Sequence, residues 1–149
     1  MSQSLVKNYV HVVFATKGRK SFISPDIASK LYPYLNGICN KMTCYPQLVG
    51  GHVNHVHILC QLSKNTSLSK FIEQLKSSSS RWLKAQEELT DFAWQNGYSA
   101  FSVNSRGISH VQEYIANQHV HHRRLTYEEE LRKLLIENEM PFDERFLWD

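Results

Sequence analysis

The chain has 149 residues, 42% hydrophobic and 21% charged, a balance that fits one folded globular domain and not a disordered segment. No apolar run reaches the roughly 18 residues of a membrane span, and the first residues lack the apolar core of a secretion signal. The three cysteines, Cys39, Cys44 and Cys60, form no Cys-x-x-Cys pair, so neither a disulfide framework nor a cysteine zinc site is expected, and a cytoplasmic location is.

The net charge of +3 is spread unevenly: residues 125–149 carry −5 and residues 1–124 carry +8. A basic body with an acidic tail suggests an anionic partner for the body.

The first strand is expected over Tyr9 to Ala15, with Val10, Val12 and Phe14 on one face and Tyr9, His11 and Val13 on the other. A basic turn, Thr16 to Lys20, follows. Ser24-Pro25 reads as an N-cap and first helical residue, and Ile27, Leu31, Leu35 and Ile38 form that helix's apolar stripe. A second strand runs from Tyr45 to about Val49 and ends at Gly50-Gly51. His55 to Leu62 is a third. Ser67 opens a second helix with Leu68, Phe71, Ile72, Leu75, Trp82 and Leu83 on one face. The four serines Ser77 to Ser80 interrupt its stripe, but Trp82 and Leu83 keep the helical phase. Asn96-Gly97 marks a turn before a fourth strand over Ala100 to Val103. After Gly107 a third helix is expected over about Ile108 to Arg123. Thr126-x-x-Glu129 reads as a capping box for a last helix through about Asn138, stopped by Pro141.

The order β-α-β-β-α-β followed by helices predicts an α+β, ferredoxin-like antiparallel sheet with two helices on one face. The other face is expected to be free for a ligand or another chain. One domain is expected over 1–149, divided into a core (1–104), a tyrosine-bearing helix (105–124) and an acidic helix and tail (125–149).

His55 and His57 are two apart on a strand and project from one face, while Val56, Ile58, Cys60 and Leu62 project from the other. Two imidazoles fixed by strand geometry suit a divalent metal, but a third ligand must come from elsewhere. In the third helix Tyr114 and Gln118 are four residues apart and share a face. Gln118 Oε1 is the candidate third ligand. Three neutral ligands leave the ion its full charge, which can polarise a phosphate and support a tyrosine nucleophile.

These residues carry a family resemblance. His11-Val12-Val13-Phe14-Ala15-Thr16-Lys17, Gly50-Gly51 before His55-Val56-His57, and Tyr114-Ile115-Ala116-Asn117-Gln118 together resemble the small single-tyrosine transposases of bacterial insertion sequences and their REP-associated relatives, members of the HUH endonuclease superfamily. The resemblance implies that His55, His57 and Gln118 bind Mg²⁺ or Mn²⁺. It implies that Tyr114 attacks single-stranded DNA at hairpin-marked element ends, giving a 5′-phosphotyrosine and a free 3′-hydroxyl. It also implies a homodimer, in several relatives with exchanged tyrosine helices, for which Gly107 is the candidate hinge. The residue before the first histidine is often acidic in relatives and is Asn54 here.

His11, His52 and Asn54 are candidates for supporting the metal ligands; His52 faces away if the strand extends back through it, but not if the chain turns at Asn54. His119, His121 and His122 read as a solvated basic patch with Arg123 and Arg124, with phosphate contact or proton transfer the alternative for His121 and His122. Lys17, Arg19, Lys20, Arg81, Lys84, Arg123 and Arg124 are candidate DNA-backbone contacts. Alternative readings are a domesticated hairpin nickase and ligase, and a non-catalytic nucleic-acid-binding module that stacks bases on an open sheet face.

Overall fold

The computed structural model describes residues 2–149. Strand β1 (Tyr9–Ala15) lies inside a four-stranded antiparallel sheet of order β2-β3-β1-β4, with β2 at Tyr45–His52, β3 at His55–Gln61 and β4 at Ser99–Val103. Register places Val13 opposite His57, Ala15 opposite His55 and His11 opposite Phe101. Strand β2 runs past Gly50-Gly51 to His52, three residues beyond the expected end, and is irregular between Pro46 and Leu48. The chain turns at Val53-Asn54, so His52 pairs directly with His55 and the two share a face. His52 therefore does not face away.

Helices α1 (Pro25–Lys41) and α2 (Leu68–Gln86) cover one face. Ser24 Oγ accepts from the Ile27 amide and Ser67 Oγ from the Lys70 amide, so each helix begins on a satisfied N-cap. The core holds Val12, Phe14, Leu31, Leu35, Val56, Ile58, Phe71 and Leu75. The serine run stays helical for a packing reason. Ser79 is buried, donates back to the Leu75 carbonyl at 2.5 Å and accepts from Trp94 Nε1 at 2.9 Å. Trp94 is thus a core residue. All three cysteines are buried and unbridged.

The second face departs from expectation. Instead of lying open, it is covered by α3 (Ile108–Ala116), the short α4 (Gln118–His121) and α5 (Tyr127–Glu137). Tyr127, Leu131, Leu134 and Leu135 of α5 pack on Val13, Ala15 and Phe101. The capping box at Thr126 and Glu129 is present. The tyrosine helix is not continuous: Asn117, at φ −98° and ψ 19°, ends α3 before α4 begins. Among the described residues no helix is long and apolar enough to cross a membrane.

Candidate metal and nucleophile site

Strand alternation sends His11, His55 and His57 to the face that carries α3–α5, and all three are buried. Helix α3 can approach closely because β2 carries Gly50. A Cβ there would lie 2.8 Å from Ile115 Cγ2. Gly51 faces a harder constraint, since a Cβ would lie 2.2 Å from the His55 carbonyl oxygen. Gly50 thus seats the tyrosine helix on β2, next to the histidine strand, while Gly51 lets the β2–β3 hairpin close tightly.

The seat brings Tyr114 to its own chain's histidines. Its ring centroid is 5.8 Å from that of His57 and 6.2 Å from that of His11. Gln118 Oε1 lies 2.9 Å from His55 Nε2. The candidate ligands His55, His57 and Gln118 and the candidate nucleophile therefore converge within one protomer. Gly107 closes a short 3-10 turn with φ −93°, a conformation open to any residue, and a Cβ there would meet only Val103 Cγ1 at 3.7 Å.

At the centre is a residue the sequence reading passed over. Glu130 of α5 is 1% exposed. Its Oε2 accepts from the Tyr114 hydroxyl at 2.5 Å and from Gln118 Nε2 at 2.7 Å. Its Oε1 lies 3.2 Å from His55 Nε2, 3.3 Å from His57 Nε2 and 3.2 Å from His122 Nε2. His122, expected in a solvated patch, has a side chain only 3% exposed and belongs to this cluster. Donor atoms of His55, His122 and Glu130 all lie within 4.8 Å of one another, a group able to hold a metal ion. His121 stacks on the Tyr114 ring, whereas His119 is exposed.

The candidate supports surround these groups. His11 Nε2 shares a 2.8 Å hydrogen bond with His57 Nδ1. Asn54 Oδ1 accepts from His55 Nδ1 at 2.9 Å, the role an acidic residue would serve there. His52 stacks on His122, with ring centroids 4.9 Å apart. Tyr127 lies over His55, and its buried hydroxyl has no hydrogen-bond partner among the described residues.

The electrostatics follow from burial and from one carboxylate. Burial pushes His11 down to about 3, with the neighbouring His57 adding to the fall. Burial likewise pushes His55 down to about 4, against the pull of Glu130. Burial would lower His122 too, but its hydrogen bond to Glu130 raises it above the usual histidine value. Burial alone would raise Glu130, yet hydrogen bonds from His122, His55 and His57 hold it far below the carboxylate range. Tyr114 is raised by burial first and then by the charge of Glu130, so its hydroxyl is protonated at rest.

The candidate DNA contacts scatter. Lys17, Lys20, Arg123 and Arg124 are exposed. Arg19 is engaged by the tail: it pairs with Glu128 at 3.3 Å and lies over the Trp148 ring. Arg81 and Lys84 project from α2, in the layer on the opposite side of the sheet from the histidines.

This is a small βαββαβ domain with Tyr114 and its histidine cluster enclosed beneath C-terminal helices. Two solved structures share the fold. One is a provisionally named transposase from Deinococcus radiodurans R1, at 22% identity and a TM-score of 0.62, over 79% of this chain and 96% of that one. The other is a REP-associated tyrosine transposase bound to a REP hairpin, at 16% identity and a TM-score of 0.60, over 82% of this chain and 74% of that one. No curated protein matches the sequence. Residues 4–118 match the family described as "Transposase IS200 like", and the chain belongs to that family.

Proposed function

We propose that this protein cleaves and rejoins single-stranded DNA at hairpin-marked element ends, with Tyr114 as nucleophile and a divalent ion, Mg²⁺ or Mn²⁺, at the histidine face. The observation that carries the reading is the Tyr114 hydroxyl fixed 2.5 Å from Glu130 Oε2, while the other oxygen of that carboxylate touches both strand histidines. Nucleophile and candidate metal ligands thus share one enclosed cluster. The hairpin bound by the REP-associated relative supports a hairpin substrate.

His55, His57 and Gln118 suit such an ion because their nitrogen and oxygen donors point to one place. When bound, the ion would supply the positive charge that polarises a scissile phosphate. That charge matters because burial and Glu130 hold the Tyr114 phenol neutral, and a neutral phenol is a weak nucleophile. The chain's own groups do the positioning. Glu130 holds the hydroxyl in place, Gly50 lets α3 approach, and His11 and Asn54 set the orientations of His57 and His55. In the reaction the Tyr114 O–H bond and the P–O3′ bond break, a P–O bond to tyrosine forms, and the leaving 3′-oxygen takes up a proton. The phosphotyrosine keeps the phosphodiester's energy, so attack by a 3′-hydroxyl can rejoin the strand without a nucleotide triphosphate.

One chain supplies every group named, so a homodimer is not needed to complete the site. The binding-module reading loses its main feature, because α5 covers the sheet face on which bases would stack. The test is incubation with labelled single-stranded hairpins and Mn²⁺, followed by a denaturing protein gel. A covalent adduct lost in Tyr114→Phe and in chelator is the expected result. Intact hairpin binding with no adduct on any cognate end would overturn the proposal.

A further inference from the structure

Hydrogen bonds outside the cluster decide which nitrogen of each imidazole faces inward. Asn54 Nδ2 donates to the Arg19 carbonyl at 3.4 Å, which turns Asn54 Oδ1 towards His55 Nδ1 at 2.9 Å. An amide oxygen only accepts, so neutral His55 carries its hydrogen on Nδ1 and leaves a bare lone pair on Nε2. His122 is oriented the same way: its Nδ1 donates to the Leu125 carbonyl at 2.9 Å, so its Nε2 is the nitrogen that faces the cluster. His57 can do the same by donating from Nδ1 to His11 Nε2 at 2.8 Å.

The inward nitrogens meet oxygens that also accept. Gln118 is oriented by its Nε2, which donates to Glu130 Oε2, so its Oε1 faces the imidazoles. That Oε1 lies 2.9 Å from His55 Nε2 and 3.0 Å from His122 Nε2. Glu130 Oε1 lies 3.2 to 3.3 Å from the Nε2 atoms of all three histidines. Five potential ligand atoms therefore crowd one point, and they keep this spacing only with protons or a metal ion among them. The spacing also has a meaning of its own. Bonds of about 2.0–2.2 Å to one ion place neighbouring ligand atoms roughly 3.0–3.5 Å apart in octahedral or tetrahedral shells.

We propose that His122 and Glu130 join His55, His57 and Gln118 as ligands of a single divalent ion, in a site that takes a first-row transition ion such as Mn²⁺ well ahead of Mg²⁺. The inference rests on the metal reading above and deepens it. Three imidazole nitrogens are a poor match for Mg²⁺, which prefers oxygen and keeps its waters, and a good one for transition ions. Glu130 adds the negative ligand that His55, His57 and Gln118 lack. Through its second oxygen the same carboxylate ties Tyr114 to the metal shell. Both added ligands lie beyond residues 4–118, the part of the chain that matches the family.

The test reads metal binding without DNA. Free Mn²⁺ is followed by electron paramagnetic resonance in titrations of the full chain and of His55→Ala, His122→Ala and Glu130→Gln, with Mg²⁺ as competitor. Folding of each variant is checked by circular dichroism. Wild type should bind one Mn²⁺ and release it only at a Mg²⁺ excess of roughly 100-fold or more. His122→Ala and Glu130→Gln should each weaken Mn²⁺ binding by about tenfold or more. Where either fails to fold, His122→Asn and Glu130→Asp replace it, with the same loss expected. Wild-type affinity in the His122 and Glu130 variants, with binding lost in His55→Ala, would overturn the inference and leave the three-ligand reading standing. Displacement by equimolar Mg²⁺ would overturn the selectivity. Absence of Mn²⁺ binding in wild type would overturn the metal reading itself.

Discussion

Alternate residues of β1 serve opposite faces of one sheet. Val10, Val12 and Phe14 point to α1 and α2 and join the apolar core there. His11, Val13 and Ala15 point to α3 and α5, where His11 meets His57 and Val13 and Ala15 support Tyr127 and Leu131. The first face holds the fold by burying apolar surface. The second buries seven residues in its apolar cluster and encloses a polar group of histidines, Gln118 and Glu130 beside it. Substitutions on the first face should unfold the protein. Those on the second should change what it binds and does.

The largest contrast is expected from Phe14→Ala. It removes a fully buried ring that meets Trp94 edge-on, and should cost about 3–5 kcal/mol, measured by denaturant unfolding. Acid should come next and should act through the polar face. In chelator-treated protein, His11 at about 3 and His55 at about 4 stay neutral in the fold but take up protons near 6.5 once unfolded. Their contribution is present above pH 6.5 and is lost as pH falls towards 4. Glu130, held low, loses its contribution in the same direction on further acidification. His122 opposes them, because its raised value adds stability that disappears as pH rises through its folded pKa. The melting temperature should therefore fall between pH 7 and 4. A flat profile would mean that the histidine face is open to water.

Gly50→Ala should cost less, about 1–3 kcal/mol: its Cβ would lie 2.8 Å from the Ile115 Cγ2 methyl, and α3 must move back to clear it. Its sharper effect should be functional: displacing Ile115 moves α3, so adduct formation should fall further than stability does. The smallest change should be a gain. Tyr127→Phe removes the buried hydroxyl that has no partner among the described residues and keeps the ring over His55, so it should stabilise by about 1 kcal/mol in thermal unfolding.

The apolar face was legible in the sequence because strand and helix periods announce it. Tyr9 to Ala15, the Ser24 and Ser67 caps and the Thr126 capping box stand where their residue types place them. His55, His57, Tyr114 and Gln118 were legible from spacing. Glu130 was not, because Glu128, Glu129 and Glu130 form an acidic run inside a tail of net charge −5 and look solvated. The signal was present in the phase: Tyr127, Glu130, Leu131 and Leu134 fall on one helical stripe, and a carboxylate on an apolar stripe demands a partner. His122 hid among Arg123 and Arg124 in the same way. The covering of the second face was illegible because it depends on where α5 packs, and a long-range contact leaves no local pattern.

In the proposed reaction one chain supplies both the nucleophile and the histidine pair. The most direct measurement mixes Tyr114→Phe protein, which keeps its histidines, with His57→Ala protein, which keeps its tyrosine. Adduct with a labelled hairpin is then scored against each variant alone. The geometry predicts no adduct from the mixture, because neither chain holds a complete site. Adduct recovered on mixing would contradict the claim and place Tyr114 of one chain at the histidines of another.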